Sequence, residues 1–175
     1  LEHFTAHEPS LMEFAEQVGI KGFAVTVPHK QAVLQYLQEI SARVGDIGAC
    51  NTVVRRGSCW YGYNTDAGGI KKALAEFLGL EKLHRKKVAI IGAGGASRAI
   101  AYVVKMMGGK ACIFNRTISK AKILAEDFGF KYAPLIPESA PLLEEYSFLI
   151  IQTTSKGMES SLPPNENNDP LWFYE

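Results

Sequence analysis

Two ionisable residues in the first half of the chain lie where a strand is expected to meet a helix. Lys30 follows the apolar run GFAVTV and a short turn that contains Pro28, and Asp66 stands between GYNT and a helical pattern. In an α/β sheet, both junctions can lie at the carboxyl edge, where ligands bind. A lysine ammonium can donate a proton to an oxygen that gains negative charge, and a nearby carboxylate favours the charged ammonium. Taken singly, a solvated Lys30 and an Asp66 that caps its helix are the simpler readings, and capping is compatible with catalysis.

A glycine-rich segment, VAIIGAGGASRAI, follows a predicted strand and opens a predicted helix. In that context such a segment indicates a dinucleotide site. Gly92 permits a tight turn, Gly94 lets a pyrophosphate approach the backbone, and Gly95 removes a further side chain beside the free N–H groups of the helix N-terminus. The third small position is Ala96 or Ser97 instead of glycine. A tight turn that holds no ligand is the alternative.

The end of the next predicted strand favours NADP over NAD. The strand ACIF ends in Asn115, Arg116 and Thr117, whereas NAD-binding versions carry an acidic residue about 20 residues after the glycines. Arg116 can form charge-assisted hydrogen bonds to a 2′-phosphate that an acid would repel, with Asn115 and Thr117 as neutral partners. Lys120, one helical turn later, is a weaker candidate, and a surface role for Arg116 is the alternative.

The hydrophobic pattern predicts the elements that position these residues. Before residue 80 it predicts a helix in EPSLMEFAEQVGI capped by Ser10, a buried strand over 22–27, a helix in KQAVLQYLQEI with Pro28 in its first turn, and a hairpin with Gly57 in its turn. A further helix, AGGIKKALAEFLGL, is predicted to turn four side chains inward: Ile70, Leu74, Phe77 and Leu78.

From Val88 onward, unbroken apolar strands alternate with helices as far as SFLIIQT. This alternation predicts a parallel sheet covered on both faces. The fold class is therefore α/β, and we expect a boundary between two units near residues 80–87.

Composition excludes several classes of protein. With 175 residues, 47% hydrophobic and 21% charged, and a formal net charge of +1, the chain is typical of an ordinary globular protein. Its basic residues are dispersed, which argues against nucleic acid, and no apolar run approaches the roughly 20 residues that span a membrane. The three cysteines show neither a disulfide framework nor zinc-site spacing, which favours the cytoplasm.

The motifs VTVPHK, GACNTVV, GYNTDAGG, IGAGGASRAI, FNRT and TTSKGM occur in this order and together resemble shikimate dehydrogenases, including members fused to other shikimate-pathway enzymes. They extend from Val25 to Met158. The resemblance implies a small-molecule enzyme that reversibly reduces 3-dehydroshikimate to shikimate with NADPH. It also implies a partial substrate-binding and catalytic α/β domain over residues 1–83 and an NADP-binding Rossmann domain over residues 84–175.

The resemblance assigns roles residue by residue. Lys30 and Asp66 match the catalytic pair, and Thr26 and Asn51 match residues that hold substrate hydroxyls. Gln152 stands where the family usually has asparagine, so it is left outside the site. The positions that match the cofactor site are Gly92, Ala93, Gly94, Gly95, Ala96, Asn115, Arg116, Thr117, Thr154, Ser155 and Met158.

Three questions stay open at this level. The family has an N-terminal segment with serines for the substrate carboxylate and a C-terminal helical segment with a glutamine, and this chain matches neither, so we expect a fragment whose own activity is open. A quinate or quinate/shikimate dehydrogenase is the close alternative. A non-catalytic dinucleotide-binding regulatory module is the distant one.

Overall fold

A computed structural model describes residues 11–156, and within that range the strands form two four-stranded sheets. The strands of the first sheet are Gly22–Ala24 (β1), Glu39–Ile40 (β2), Thr52–Arg56 (β3) and Cys59–Tyr63 (β4). Their order is β1-β3-β4-β2, with β1 antiparallel to β3, a β3–β4 hairpin, and β2 parallel to β4. The helices of this part are α1 (Leu11–Gln17), a 3-10 helix (Ala32–Tyr36) and α2 (Ala42–Ile47).

The strands of the second sheet are Lys87–Ile91 (β5), Lys110–Asn115 (β6), Lys131–Pro134 (β7) and Leu149–Gln152 (β8). This sheet is entirely parallel and has the order β7-β6-β5-β8. The helix α3 (Asp66–Leu78) leads into it, and its own helices are α4 (Gly95–Met106), α5 (Ile118–Phe128), a 3-10 turn (Pro137–Ser139) and α6 (Ala140–Glu145).

Helices cover this sheet on both faces, as its apolar strands predict. Alternate residues of β5 point to opposite sides: Val88 and Ile90 belong to the core shared with α4 and α5, whereas Ala89 and Ile91 belong to the core shared with α6. Because both faces are buried, the strand is apolar from Val88 to Ile91. The α/β class and the parallel sheet are therefore confirmed.

The segment before α2 differs from its prediction. The strand predicted over 22–27 covers only Gly22–Ala24 at the edge of the sheet, and Val27 is 69% exposed. The helix predicted in KQAVLQYLQEI is a short 3-10 helix followed by β2, and Pro28 lies in the turn that precedes it. The residues predicted to form the last turn of that helix pair with β4 instead. The Gln38 N–H donates to the Trp60 carbonyl over 3.2 Å, and Gln38 Oε1 accepts from the Trp60 N–H over 2.7 Å.

The hairpin and α3 are as predicted, with Gly57 at a φ of +61° in the hairpin turn. The prediction that Phe77 turns inward is wrong, since this residue is 77% exposed. Ile70, Leu74 and Leu78 do pack inward, against the core that α3 shares with α4. The division between residues 83 and 84 stays a prediction, and Ser10 lies outside the described residues.

None of the helices within residues 11–156 combines the length and apolar character needed to cross a membrane. In the same range, no cluster of three or more histidine, cysteine, aspartate or glutamate side chains could hold a metal ion.

Candidate functional site

The structure brings Lys30 and Asp66 into direct contact, although 36 positions separate them in the chain. Lys30 lies in the turn after β1, and Asp66 is the first residue of α3. The Lys30 ammonium donates a hydrogen bond to Asp66 Oδ2 over 2.7 Å, and the two side chains are 14% and 27% exposed. The pair is therefore shielded from bulk water but not sealed from it.

Asn51, directly before β3, binds the second oxygen of the same carboxylate. Its amide nitrogen donates to Asp66 Oδ1 over 2.7 Å and to Thr65 Oγ1 over 2.8 Å, while its amide oxygen accepts from the Thr65 N–H over 2.9 Å. The Cys50 N–H, one residue earlier, donates to the Lys30 carbonyl over 2.8 Å. One short segment thus fixes both the carboxylate and the backbone that carries the ammonium.

Asp66 does not cap its helix. The N-cap residue of α3 is Thr65, and the side chain that accepts a bond from the first turn is Asn64, whose Oδ1 accepts from the Ala67 N–H over 3.2 Å. Asn64 is buried and also donates to the Ala49 carbonyl over 2.9 Å. The capping alternative for Asp66 is therefore wrong, and its carboxylate is directed to Lys30 and Asn51.

Two neighbours of the pair have different environments. Thr26 lies on the turn before Lys30 with its side chain exposed, and its carbonyl accepts from the His29 N–H over 2.8 Å. Burial raises the pKa of the Cys50 thiol, which donates to the Thr52 carbonyl over 3.3 Å. A thiol held protonated in this way is a poor nucleophile. The chemistry that this part of the site supports is therefore proton transfer by Lys30 and Asp66.

The glycine turn between β5 and α4 leaves open space for a ligand. Gly92 has a φ of +113°, and its N–H donates to the Phe114 carbonyl over 2.8 Å. A Cβ atom at Gly94 would meet nothing within 4 Å, and α4 begins at Gly95 with Ala96 in its first turn. The first N–H groups of a helix have no partner within it, so this turn fits a pyrophosphate.

A chain of hydroxyl groups ties the turn to the end of β8. The Gly94 N–H donates to Ser97 Oγ over 3.0 Å, Ser97 Oγ lies 2.7 Å from Thr153 Oγ1, and Thr153 Oγ1 donates to the Ile91 carbonyl over 2.7 Å. Ser97 is fully buried. Sequence reasoning missed Thr153, although a threonine directly after a strand that neighbours β5 had to lie beside the glycine turn.

The residues expected at the 2′-phosphate lie at the carboxyl end of β6. Asn115 ends the strand and donates from Nδ2 to the Thr117 carbonyl over 2.9 Å, while the side chains of Arg116 and Thr117 are exposed. The segment 115–120 contains no acidic residue, and Lys120 lines the adjoining cavity. This donor set fits a 2′-phosphorylated ribose.

Gln152 organises the loop after β8. Its Nε2 donates to the Lys156 carbonyl over 2.6 Å, and its Oε1 accepts from the Thr154 N–H. Thr154 Oγ1 accepts in turn from the Lys156 N–H over 3.3 Å, and Ser155 is exposed between them. The sequence prediction left Gln152 outside the site, and Met158 lies outside the described residues.

A cavity of about 400 Å³ is lined by the turn after β1 and by the glycine turn. Lys30 borders it on one side and Gly94 and Gly95 border it on another, and its polar lining also includes Gln31, Arg98 and Lys120. The cavity therefore joins the Lys30 side of the pair to the dinucleotide turn.

Two family models match the chain. The model described as "Shikimate dehydrogenase substrate binding domain" matches residues 2–53, and the model described as "Shikimate / quinate 5-dehydrogenase" matches residues 73–160. Among curated proteins, the shikimate dehydrogenase (NADP(+)) of Bacillus cereus strain AH187 is 42% identical over 157 residues, which cover 88% of this chain and 55% of that protein.

Two solved structures of related enzymes superpose on this chain. Shikimate 5-dehydrogenase from Thermus thermophilus, in complex with NADP(H) and shikimate, superposes with a TM-score of 0.70 at 34% identity and covers 87% of this chain and 57% of its own. Quinate dehydrogenase from Corynebacterium glutamicum, in complex with NAD, superposes with a TM-score of 0.71 at 28% identity and covers 90% and 58%. The chain spans a little over half the length of the curated relatives that it matches, between 53% and 59%.

Proposed function

The chain belongs to the shikimate dehydrogenase family, and on that premise we propose that the protein containing it interconverts 3-dehydroshikimate and shikimate with NADP as its cofactor. The observation that carries the proposal is the contact between Lys30 and Asp66 over 2.7 Å, with Lys30 at the border of a cavity that the glycine turn also lines. A proton donor and a dinucleotide turn on one cavity are the two parts that reduction of a ketone requires.

Lys30 supplies the proton in this scheme. When NADPH is bound, it supplies the hydride. As the carbonyl carbon of the substrate becomes bonded to that hydrogen, the electron pair of the C=O π bond moves to oxygen, and the Lys30 ammonium stabilises the growing charge and transfers a proton to it. The product is a hydroxyl group, and the neutral amine regains a proton from water. In the oxidation direction, the neutral amine removes the hydroxyl proton.

Asp66 and Asn51 are positioning groups for this transfer. Asp66 uses one carboxylate oxygen for Lys30 and the other for Asn51, so the acceptor of the ammonium cannot rotate freely. The remaining donors of a lysine ammonium can then reach a substrate oxygen. Thr26, exposed on the same turn, and Asn51 are the proposed contacts to substrate hydroxyls, Asn51 in exchange for its bond to Thr65 Oγ1.

The cofactor is proposed to lie along the glycine turn, with its 2′-phosphate at the end of β6. Gly92, Ala93, Gly94, Gly95 and Ala96 form the turn and the start of α4. Arg116 is the charged group for the phosphate, with Asn115, Thr117 and Lys120 around it. Thr154 and Ser155, in the loop that Gln152 closes, are proposed to face the nicotinamide end.

A quinate substrate is the second candidate, because the matching family model covers both activities and a quinate dehydrogenase shares the fold. The test is an assay of the full-length protein with shikimate and with quinate, each with NADP and with NAD. Turnover of shikimate with NADP supports the proposal. Turnover of quinate alone would support the second candidate instead. Tight NADPH binding without turnover of either substrate would identify a regulatory module.

Two further expectations belong to the proposal. A cytoplasmic location agrees with the free state of Cys50, Cys59 and Cys112. Fusion to another shikimate-pathway enzyme stays a prediction, and the sequence of the complete protein tests it together with the division between residues 83 and 84.

A further inference from the structure

We propose that Arg98 is a positioning residue that fixes the helix of the dinucleotide turn against the segment that carries the Lys30 site. The Arg98 guanidinium donates from Nε to the Ile47 carbonyl over 2.5 Å and from Nη2 to Asp127 Oδ2 over 2.6 Å. Arg98 lies on α4, Asp127 on α5 and Ile47 at the end of α2, so one side chain joins helices associated with both sheets. The inference rests on the proposed function.

The surroundings of Arg98 suit a planar guanidinium. Its side chain is only 14% exposed, and its Cζ lies 5.7 Å from the ring centroid of Phe128. At Gly48, which has a φ of +69°, a Cβ atom would lie 2.7 Å from Nη2 and 2.8 Å from Nε of Arg98. A lysine donates all of its hydrogen bonds from one nitrogen and cannot reproduce two bonds that leave a flat guanidinium from different nitrogens.

A short path connects this contact to the catalytic pair. Beyond Ile47, the Ala49 carbonyl accepts from buried Asn64, and the Cys50 N–H donates to the Lys30 carbonyl over 2.8 Å. Asn51 then binds the Asp66 carboxylate. The segment 47–51 therefore holds Lys30 and Asp66 in place, and Arg98 is its anchor to α4.

The backbone of Arg98 lies one helical turn after Gly94 and Gly95. Its own N–H donates to the Gly94 carbonyl over 3.1 Å, and it lines the cavity together with Gly94 and Gly95. The side chain thus spans the distance between the dinucleotide turn and the 47–51 segment. Because hydride transfer depends on alignment within fractions of an ångström, loosening this link should slow turnover more than it weakens binding.

The test compares Arg98→Ala and Arg98→Lys in the full-length protein with Arg43→Ala, an exposed position on α2. We expect the Arg98 variants to lower kcat between about 10- and 100-fold, with little change in KM for either substrate and a larger isotope effect from deuterated NADPH. Dilute guanidinium should restore part of the kcat of Arg98→Ala and none of that of Lys30→Ala. A normal kcat with a lowered unfolding midpoint would reduce Arg98 to a stabilising ion pair and overturn the inference.

Amide hydrogen exchange separates this inference from the proposed function. In Arg98→Ala, and not in Arg43→Ala, the Cys50 amide should exchange faster, because the segment that presents it to Lys30 has lost its anchor. If the Cys50 amide exchanges faster in Arg98→Ala but the wild type does not turn over shikimate, the anchoring role of Arg98 is supported and the proposed function is rejected. Equal exchange in both variants and the wild type would reject the anchor.

Discussion

The aliphatic stem of Lys30 packs directly over Gly95. A Cβ atom at Gly95 would lie 2.7 Å from Cβ of Lys30 and 3.2 Å from its Cδ. The position next to it differs, because a Cβ atom at Gly94 would meet nothing within 4 Å. Two adjacent glycines therefore serve different ends: Gly94 leaves room for a ligand, and Gly95 leaves room for the lysine.

Gly95→Ala is expected to displace Lys30. The clash involves the Lys30 Cβ, which lies close to its own backbone and cannot swing away as a terminal atom could. We expect kcat to fall at least about tenfold through misalignment, with a smaller change in the Kd of NADPH. Gly94→Ala is the matched variant and should show the reverse, weaker NADPH binding with less effect on kcat at saturation. Equal effects of the two substitutions on both constants would contradict this division of roles.

Lys30→Ala is expected to lower kcat by at least about 100-fold, the lower range for the loss of a general acid. The KM for shikimate should change less, because the substrate keeps its proposed contacts with Thr26 and Asn51. Steady-state kinetics of the full-length protein measure both constants. Lys72→Ala, which removes a lysine that is 78% exposed on α3, is the control. Turnover near that of the wild type would remove Lys30 from the mechanism.

The second sheet was largely predictable because its signals are local. Its central strands are unbroken apolar runs, the glycines mark the turn, and helical periodicity follows within the same segment. The edge strand β7 was not predicted, because Lys131 and Tyr132 are exposed and leave only a short apolar pattern.

The first sheet was harder because long-range pairing decides it. Residues 38–40 belong to a helical pattern, yet they pair with β4, which lies about twenty residues later in the sequence. Contacts between distant residues also shape the site. The sequence placed Lys30 and Asp66 at strand-to-helix junctions, but no spacing rule indicates that Asn51 binds the second oxygen of the Asp66 carboxylate. The position of Thr153 was open to prediction from the strand before it, whereas its hydroxyl contact with Ser97 was not.

Arg116→Ala is expected to weaken NADPH binding more than NADH binding. Arg116 is exposed at the end of β6, where a 2′-phosphate is proposed to lie, and NADH lacks that group. Titration of each nucleotide into the wild type and the variant measures the change in Kd. Lys110→Ala removes an exposed charge at the opposite end of the same strand and should affect neither nucleotide. Equal losses for NADPH and NADH would count against the phosphate contact.

Thr153→Val is expected to break the hydroxyl chain that ties the glycine turn to β8. Valine has a similar shape but can neither donate to the Ile91 carbonyl nor accept from buried Ser97. Leaving the buried Ser97 O–H without an acceptor costs about 1–3 kcal/mol, so the free energy of unfolding in urea should fall by that amount.

The Gly94 N–H donates to Ser97 at the other end of this chain of hydroxyl groups, so the Kd of NADPH should rise as well. Thr153→Ser keeps the hydroxyl and should stay closer to the wild type in both measurements. A double-mutant cycle with Ser97→Ala isolates the bond between the two hydroxyls. If the valine and serine variants unfold at the same urea concentration and bind NADPH equally well, the chain of hydroxyl groups does not stabilise the glycine turn.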